Sequence, residues 1–135
     1  TGRVVELDYQ QAASWYRLAV DQGHAKAQYQ LGVMFQEGRG APQNFHQAAA
    51  LFSRAAEQGH ALAQYNLACL YQQGVGVPQD NQQAYVWSSL AVAGGCGLSE
   101  EQQLRDNMAR LLNAAQLIEA QREATLFFEQ WQVQV

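Results

Sequence analysis

Apolar residues recur along this chain at steps of three and four, the spacing of one face of an α-helix. Tyr29, Leu31, Gly32 and Phe35 share such a face, and the pattern predicts a helix from about Ala25 to Glu37. Ala48, Leu51, Phe52 and Ala55 form a second stripe, in a helix from about Phe45 to Gln58. No strand-like alternation of any length interrupts them. Glycines punctuate the pattern. Gly23, Gly59 and Gly94 or Gly95 end one set of helices, and Gly38 and Gly74 end the other. Glycine tolerates the left-handed conformation that closes a helix. Pro42 and Pro78 lie in loops just before the next helix, where Asn44 and Asp80 suit the N-cap.

The pattern repeats every 36 positions. The segment from Phe45 to Leu67 has a copy behind it at Tyr9, Ala12, Trp15, Tyr16, Ala19, Gly23, His24, Gln28, Tyr29 and Leu31. A further copy lies ahead at Asn81, Ala84, Trp87, Ala91 and Gly95. The loops agree as well: Gly38-Arg-Gly40-Ala-Pro42-Gln43-Asn44 aligns with Gly74-Val-Gly76-Val-Pro78-Gln79-Asp80. Helices are therefore expected again at Ala61–Gln73, Asp8–Gln22 and Asp80–Ala93. Gly2-Arg3 stands at the place of Gly38-Arg39, so the chain opens inside a broken repeat and reads as a piece of a longer protein. Ala48, Ala55, Ala84, Gly32 and Ala68 leave room for close helix approach, and Tyr16, Phe35, Phe52 and Tyr71 fill the remaining gaps. One such helix pair cannot bury its stripe alone. Stacked pairs can, which predicts an all-α solenoid, an α-α superhelix of helix pairs.

After Gly95 the loop motif does not return. Ser99-Glu100-Glu101-Gln102 has the form of a capping box opening a helix to about Leu112. Asn113-Ala-Ala-Gln116 opens a last helix to about Trp131, striped by Leu117, Ala120, Ala124, Phe127, Phe128 and Trp131. Arg105, Arg110, Glu119, Arg122, Glu123 and Glu129 face away from the apolar stripes or flank them. One domain over 1–135 is expected: a truncated repeat 1–23, repeats 24–59 and 60–95, and a final helix with a C-terminal capping helix over 96–135, with Gln132–Val135 frayed.

Gln-Gly-His-Ala-x-Ala-Gln-Tyr-x-Leu followed by Gly-x-Gly-x-Pro-Gln-Asn/Asp resembles the Sel-1-like repeat, a relative of the tetratricopeptide repeat. The resemblance covers about residues 2–95. Ala84-Tyr-Val-Trp87-Ser-Ser-Leu-Ala91 also resembles the last repeat of such proteins. The family implies a right-handed superhelix that docks proteins as a scaffold or adaptor. Bacterial members often act in the envelope, in signalling or in host interaction.

Charge narrows the choice of partner. The formal net charge is -4, and Lys26 is the only lysine. Nucleic acid or an anionic membrane would need clustered Lys and Arg, so neither is expected. No apolar run approaches the ~20 residues of a membrane span. A soluble protein of bacterial cytoplasm or periplasm is expected, its compartment undetermined. The exposed N-terminal repeat edge, with Trp15 and Tyr16, allows a monomer or a weak dimer.

The residues with chemistry point mainly to structure. His24 and His60 are one period apart, without further ligands, and read as residues of the turn before a helix, so no metal is expected. Cys69 and Cys96 are too far apart in a solenoid for a disulfide. The Gly-x-Gly loops follow helices rather than strands, which argues against a phosphate site and for no cofactor. Glu100-Glu101 reads as helix-start charge complementing the dipole. Trp15, Trp87 and Trp131 read as packing residues. No nucleophile, base and oxyanion donor come together, so no enzyme is expected.

The expected function is a non-enzymatic protein-interaction module that holds a partner protein or peptide in its concave groove. By analogy with tetratricopeptide stacks, the first helix of each pair lines the groove. The candidates are Lys26, Tyr29, Gln30, Val33, Gln36 and Glu37, their copies Leu62, Tyr65, Asn66, Cys69, Gln72 and Gln73, and Arg105 extending the row. The alternative is a structural segment that positions another domain of a longer protein.

Overall fold

A computed structural model describes residues 11–12, 23–94 and 99–133. Six helices have their full bounds among the described residues: α1 (Ala25–Glu37), α2 (Phe45–Glu57), α3 (Ala61–Gln73), α4 (Asn81–Ala93), α5 (Ser99–Leu111) and α6 (Ala114–Val133). No strand occurs among the described residues. Residues 11 and 12 are helical, which is all that is described of the helix expected at Asp8–Gln22. Trp15, Tyr16, Gly95 and Cys96 lie outside the described residues.

Polar side chains and short loops define where the helices start and stop. Asn44 Oδ1 accepts from the Gln47 N–H at 3.1 Å. Asp80 Oδ1 accepts from the Gln82 and Gln83 N–H groups at 3.0 and 3.1 Å. Both therefore satisfy donors that the first helical turn cannot. Gly38 and Gly74 end α1 and α3 in the left-handed region, at φ 71 and 70. Gly94 closes α4, as expected of it or of Gly95, but without that conformation. It stands at φ -75, and its N–H reaches the Leu90 and Val92 carbonyls, so a tightened last turn closes α4 instead. The loop glutamines repeat their hydrogen bonds. Gln43 Nε2 donates to the Gln36 carbonyl at 2.8 Å, and Gln79 Nε2 to the Gln72 carbonyl at 3.4 Å.

Short connections turn each helix back on the one before. α1 packs on α2 and α3 on α4, α3 also packs on α2, and α5 on α4. The result is a stack of helix pairs sharing one core. Ala48, Ala55, Ala68 and Ala84 are completely buried at the helix crossings. Gly32 shows why small residues stand there. A Cβ on it would lie 2.8 Å from the ring of Phe52, which is itself wholly buried.

α6 opens as the reciprocal capping box expected from its sequence. Asn113 Oδ1 accepts from the Gln116 N–H at 2.8 Å, and Gln116 Oε1 accepts from the Asn113 N–H at 3.0 Å. The capping box expected at Ser99 rests on a side chain outside the described set. α6 packs on α4. Phe127 meets Trp87 at 5.0 Å between ring centroids, and Gln83 Nε2 donates to both carboxylate oxygens of Glu123. Trp131 Nε1 donates to the Glu57 carbonyl at 2.6 Å, tying the end of α6 to the end of α2. Two expectations need correction. Phe128 is 41% exposed, because consecutive residues point about 100° apart and Phe127 already takes the inward position. Residues 132 and 133 continue α6 rather than fraying.

Candidate functional site

The candidate groove residues all keep accessible surface. On α1, Lys26 and Glu37 are exposed, and Tyr29, Gln30, Val33 and Gln36 are half-buried. On α3, Leu62 and Gln73 are exposed, and Tyr65, Asn66, Cys69 and Gln72 are half-buried. Arg105 on α5 is half-buried and pairs with Asp106 at 3.2 Å. The opposite sides of the same helices supply the core, through Ala27, Leu31 and Phe35 on α1 and Ala63, Leu67 and Leu70 on α3, so Tyr29, about 200° round α1 from Leu31, does not share the face of Leu31 and Phe35 that its spacing suggested.

Two side-chain clusters subdivide this face. In the first, Tyr29 stacks on His60 at 4.9 Å and lies 5.8 Å from Phe52, so it bridges two repeats. His60 caps α3, its Nδ1 accepting from the Ala63 N–H at 3.2 Å. Burial first, and then the nearby Lys26 charge, hold the imidazole below its usual pKa. Only an unprotonated Nδ1 can accept, so geometry and charge favour the neutral form alike. As pH falls below about 6.5, the unfolded chain gains this proton before the folded one, and stability is lost until the folded value is passed. Thermal unfolding between mildly alkaline and mildly acidic pH is expected to show a stability loss that His60→Asn, an N-cap without a titrating ring, removes. Equal pH dependence in the two chains would disprove the assignment.

In the second cluster, Tyr65 and Cys69 stand one turn apart on α3, close enough to act on each other's protons. Burial and then Cys69 push the tyrosine up to about 12, with Glu100 and Glu101 adding to the shift. Burial also raises the thiol of Cys69, which is free. Both groups therefore stay protonated donors at neutral pH.

Beside this cluster the sequence reading missed a buried carboxylate. Glu100 is exposed, as helix-start charge should be, but Glu101 is 1% exposed and its Oε2 has no hydrogen-bond partner. The signal lay in the repeat. Gln28, Leu31 and Phe35 recur as Gln64, Leu67 and Tyr71, and with one added residue as Glu101, Leu104 and Met108. The first position of each trio is a polar side chain 1% exposed. Gln28 Oε1 accepts from Gln58 Nε2 at 2.7 Å, and Gln64 Nε2 donates to the Ala56 carbonyl at 3.1 Å. One period beyond Gln58 stands Gly94, which has no side chain to give, and Gln64 Oε1 is left without a partner.

The remaining chemistry-bearing residues are structural where they are described. His24 precedes α1 as its N-cap residue without a side-chain bond. Trp87 is buried, and Trp131 is spent on packing and on the Glu57 carbonyl. Among the described residues no group of three or more His, Cys, Asp or Glu is placed to hold a metal ion.

With this geometry established, the comparisons with known proteins align with it. The model of the Sel1 repeat matches residues 1–24, 25–60 and 61–96. A crystal structure of a protective antigen of uropathogenic Escherichia coli, with an SLR fold, is similar at TM-score 0.84 and 31% identity, over 90% of this chain and 26% of that one. A Sel1 repeat protein from Oxalobacter formigenes is similar at TM-score 0.69 and 25% identity, over 90% of this chain and 49% of that one. The chain thus spans less than two thirds of either neighbour. No curated protein sequence matches it.

Proposed function

Because the chain belongs to the Sel1 repeat family, we propose that it docks a protein or peptide in the concave groove formed by α1, α3 and α5. Sel1 repeat proteins are generally protein-interaction scaffolds, and the family is typically non-enzymatic. Among the described residues no helix is long and apolar enough to cross a membrane. The observation that carries the groove reading is the matched, partly open face of α1 and α3. It sets Tyr29 and Tyr65 at the same repeat position, beside Gln30 and Asn66, each half-buried. Half-buried aromatics flanked by uncharged donors and acceptors suit a peptide. They offer contact area at low entropy cost and satisfy backbone polar groups.

The test is affinity capture from lysate of the source organism, read by mass spectrometry, with Tyr65→Ala/Asn66→Ala beside the unaltered chain. A partner recovered by the unaltered chain and reduced at least about tenfold by the double variant is expected, since central aromatic anchors contribute roughly 1–2 kcal/mol or more. Circular dichroism and melting confirm that the variant folds. If it retains every partner, the groove assignment fails, and a segment that positions another domain becomes the better reading.

A further inference from the structure

The outer side of α6, turned away from α4, is not the polar surface that a terminal capping helix needs for solubility. Of the five large apolar side chains exposed among the described residues, α6 carries three: Ile118 at 58%, Leu126 at 60% and Phe128 at 41%. Its inner side is already used, with Ala120 wholly buried and Phe127 against Trp87. At about 100° per residue, Ile118, Arg122, Leu126 and Glu129 fall within about 80° of one another, on the side opposite Ala120. All four are exposed.

The charges of this stripe say what covers it. Neither Arg122 nor Glu129 forms an ion pair among the described residues. Seven residues set them about 10 Å apart along the helix axis, so they cannot pair with each other within one chain. Against a second α6 running the opposite way, they can. A two-fold axis level with residues 125 and 126 brings Arg122 opposite Glu129 of the second copy, and by the same symmetry Glu129 opposite Arg122 of that copy. Leu126 then stands beside the axis and meets its own copy. A parallel pair would instead set Arg122 against Arg122 and Glu129 against Glu129. Glu123 does not enter the stripe, because Gln83 Nε2 holds it on the inner side at 3.1 Å.

We propose that the outer face of α6 docks a second copy of this chain, the two α6 helices packing antiparallel through Ile118, Leu126 and reciprocal Arg122–Glu129 pairs. The apolar residues supply the drive, and the charges fix the direction and register of the pair. α6 has 20 residues and so is about 30 Å long. One helix-to-helix contact of that length lies at or below the low end of the roughly 1,200–2,000 Å² buried in stable interfaces, so the dimer is weak and reversible. The inference is independent of the concave-groove reading, since no groove candidate lies on α6.

The test is sedimentation equilibrium of the full chain from micromolar to millimolar concentration. A monomer–dimer equilibrium is expected. Arg122→Glu and Glu129→Arg each set like charges face to face twice, and each is expected to weaken self-association at least tenfold, as is Leu126→Lys. Mixing the Arg122→Glu and Glu129→Arg chains restores two opposite-charge pairs, so the mixture is expected to associate where neither chain does alone. The double variant Arg122→Glu/Glu129→Arg restores them within one chain type. All three substituted residues are exposed, so the variants keep the fold, which circular dichroism checks. A chain that stays monomeric up to millimolar concentration would overturn the proposal. So would a dimer that the single variants leave intact, which would place the contact elsewhere, or single variants that mixing fails to rescue.

Discussion

Gly76→Ala is expected to destabilise the domain by about 2–5 kcal/mol, measured by urea or thermal unfolding. Two costs add. Gly76 stands at φ 75, a left-handed conformation that costs a residue with a Cβ about 1–2 kcal/mol. The new methyl would also overlap the Phe45 carbonyl oxygen and sit 2.7 Å from its carbon. Phe45 opens α2, so its backbone is held by the helix and cannot yield as a flexible side chain would. Relieving such overpacking typically costs a further 1–3 kcal/mol or so. The loop between α3 and α4 thus locks onto the start of the preceding repeat's second helix. Gly59→Ala separates the two costs. It carries the same kind of backbone strain at φ 91, but its Cβ would have only ordinary contact with Trp131, at 3.8 Å. It should lose only about 1–2 kcal/mol. Similar losses in the two variants would mean that the loop shifts freely and does not fasten the repeats.

Glu101→Gln is expected to act in the opposite direction, raising stability by about 1–3 kcal/mol, the usual penalty of a buried polar group left unmade. In a domain of this size that is a rise of about 3–10 °C in melting temperature. The carboxylate is 1% exposed and its Oε2 has no partner. The same layer holds glutamine at Gln28 and Gln64, and the Gln64 amide donates to the Ala56 carbonyl. A carboxylate cannot make that bond. A carboxamide of nearly the same shape can turn its NH₂ toward a carbonyl, and the one a period beyond Ala56 belongs to Val92 of α4. The reverse change, Gln64→Glu, should destabilise by a similar amount. A loss of stability in Glu101→Gln would show that both carboxyl oxygens are needed in the folded chain and would turn attention to what lies beside them near Tyr65 and Cys69.

Much of this architecture follows from local chemistry, and local chemistry is legible in a sequence. The 36-residue period, the stripes of three- and four-residue spacing, Asn44 and Asp80 as caps, and the Asn113–Gln116 box each depend on neighbours within one or two turns. The close approach at Gly32 was legible for a related reason: a small residue opposite a large one, recurring at a fixed interval, has few uses other than helix crossing. Gly94 closes α4 as one of the two glycines expected there, but through carbonyls within α4 rather than through glycine's left-handed freedom.

The sequence by itself therefore determined the helices, their pairing and the family, since all three rest on periodicity and on caps that act at short range. Only the tertiary structure decided which polar side chains lose their water. Glu100 and Glu101 are adjacent and chemically identical, yet one is solvated and the other is buried near Tyr65 and Cys69, because a single added residue rotates the register of α5. It likewise decided that α6 covers α4, where Phe127 meets Trp87. Contacts of that kind join residues 40 to 74 positions apart, as in Gln83 with Glu123 and Glu57 with Trp131. No spacing rule within one helix encodes them.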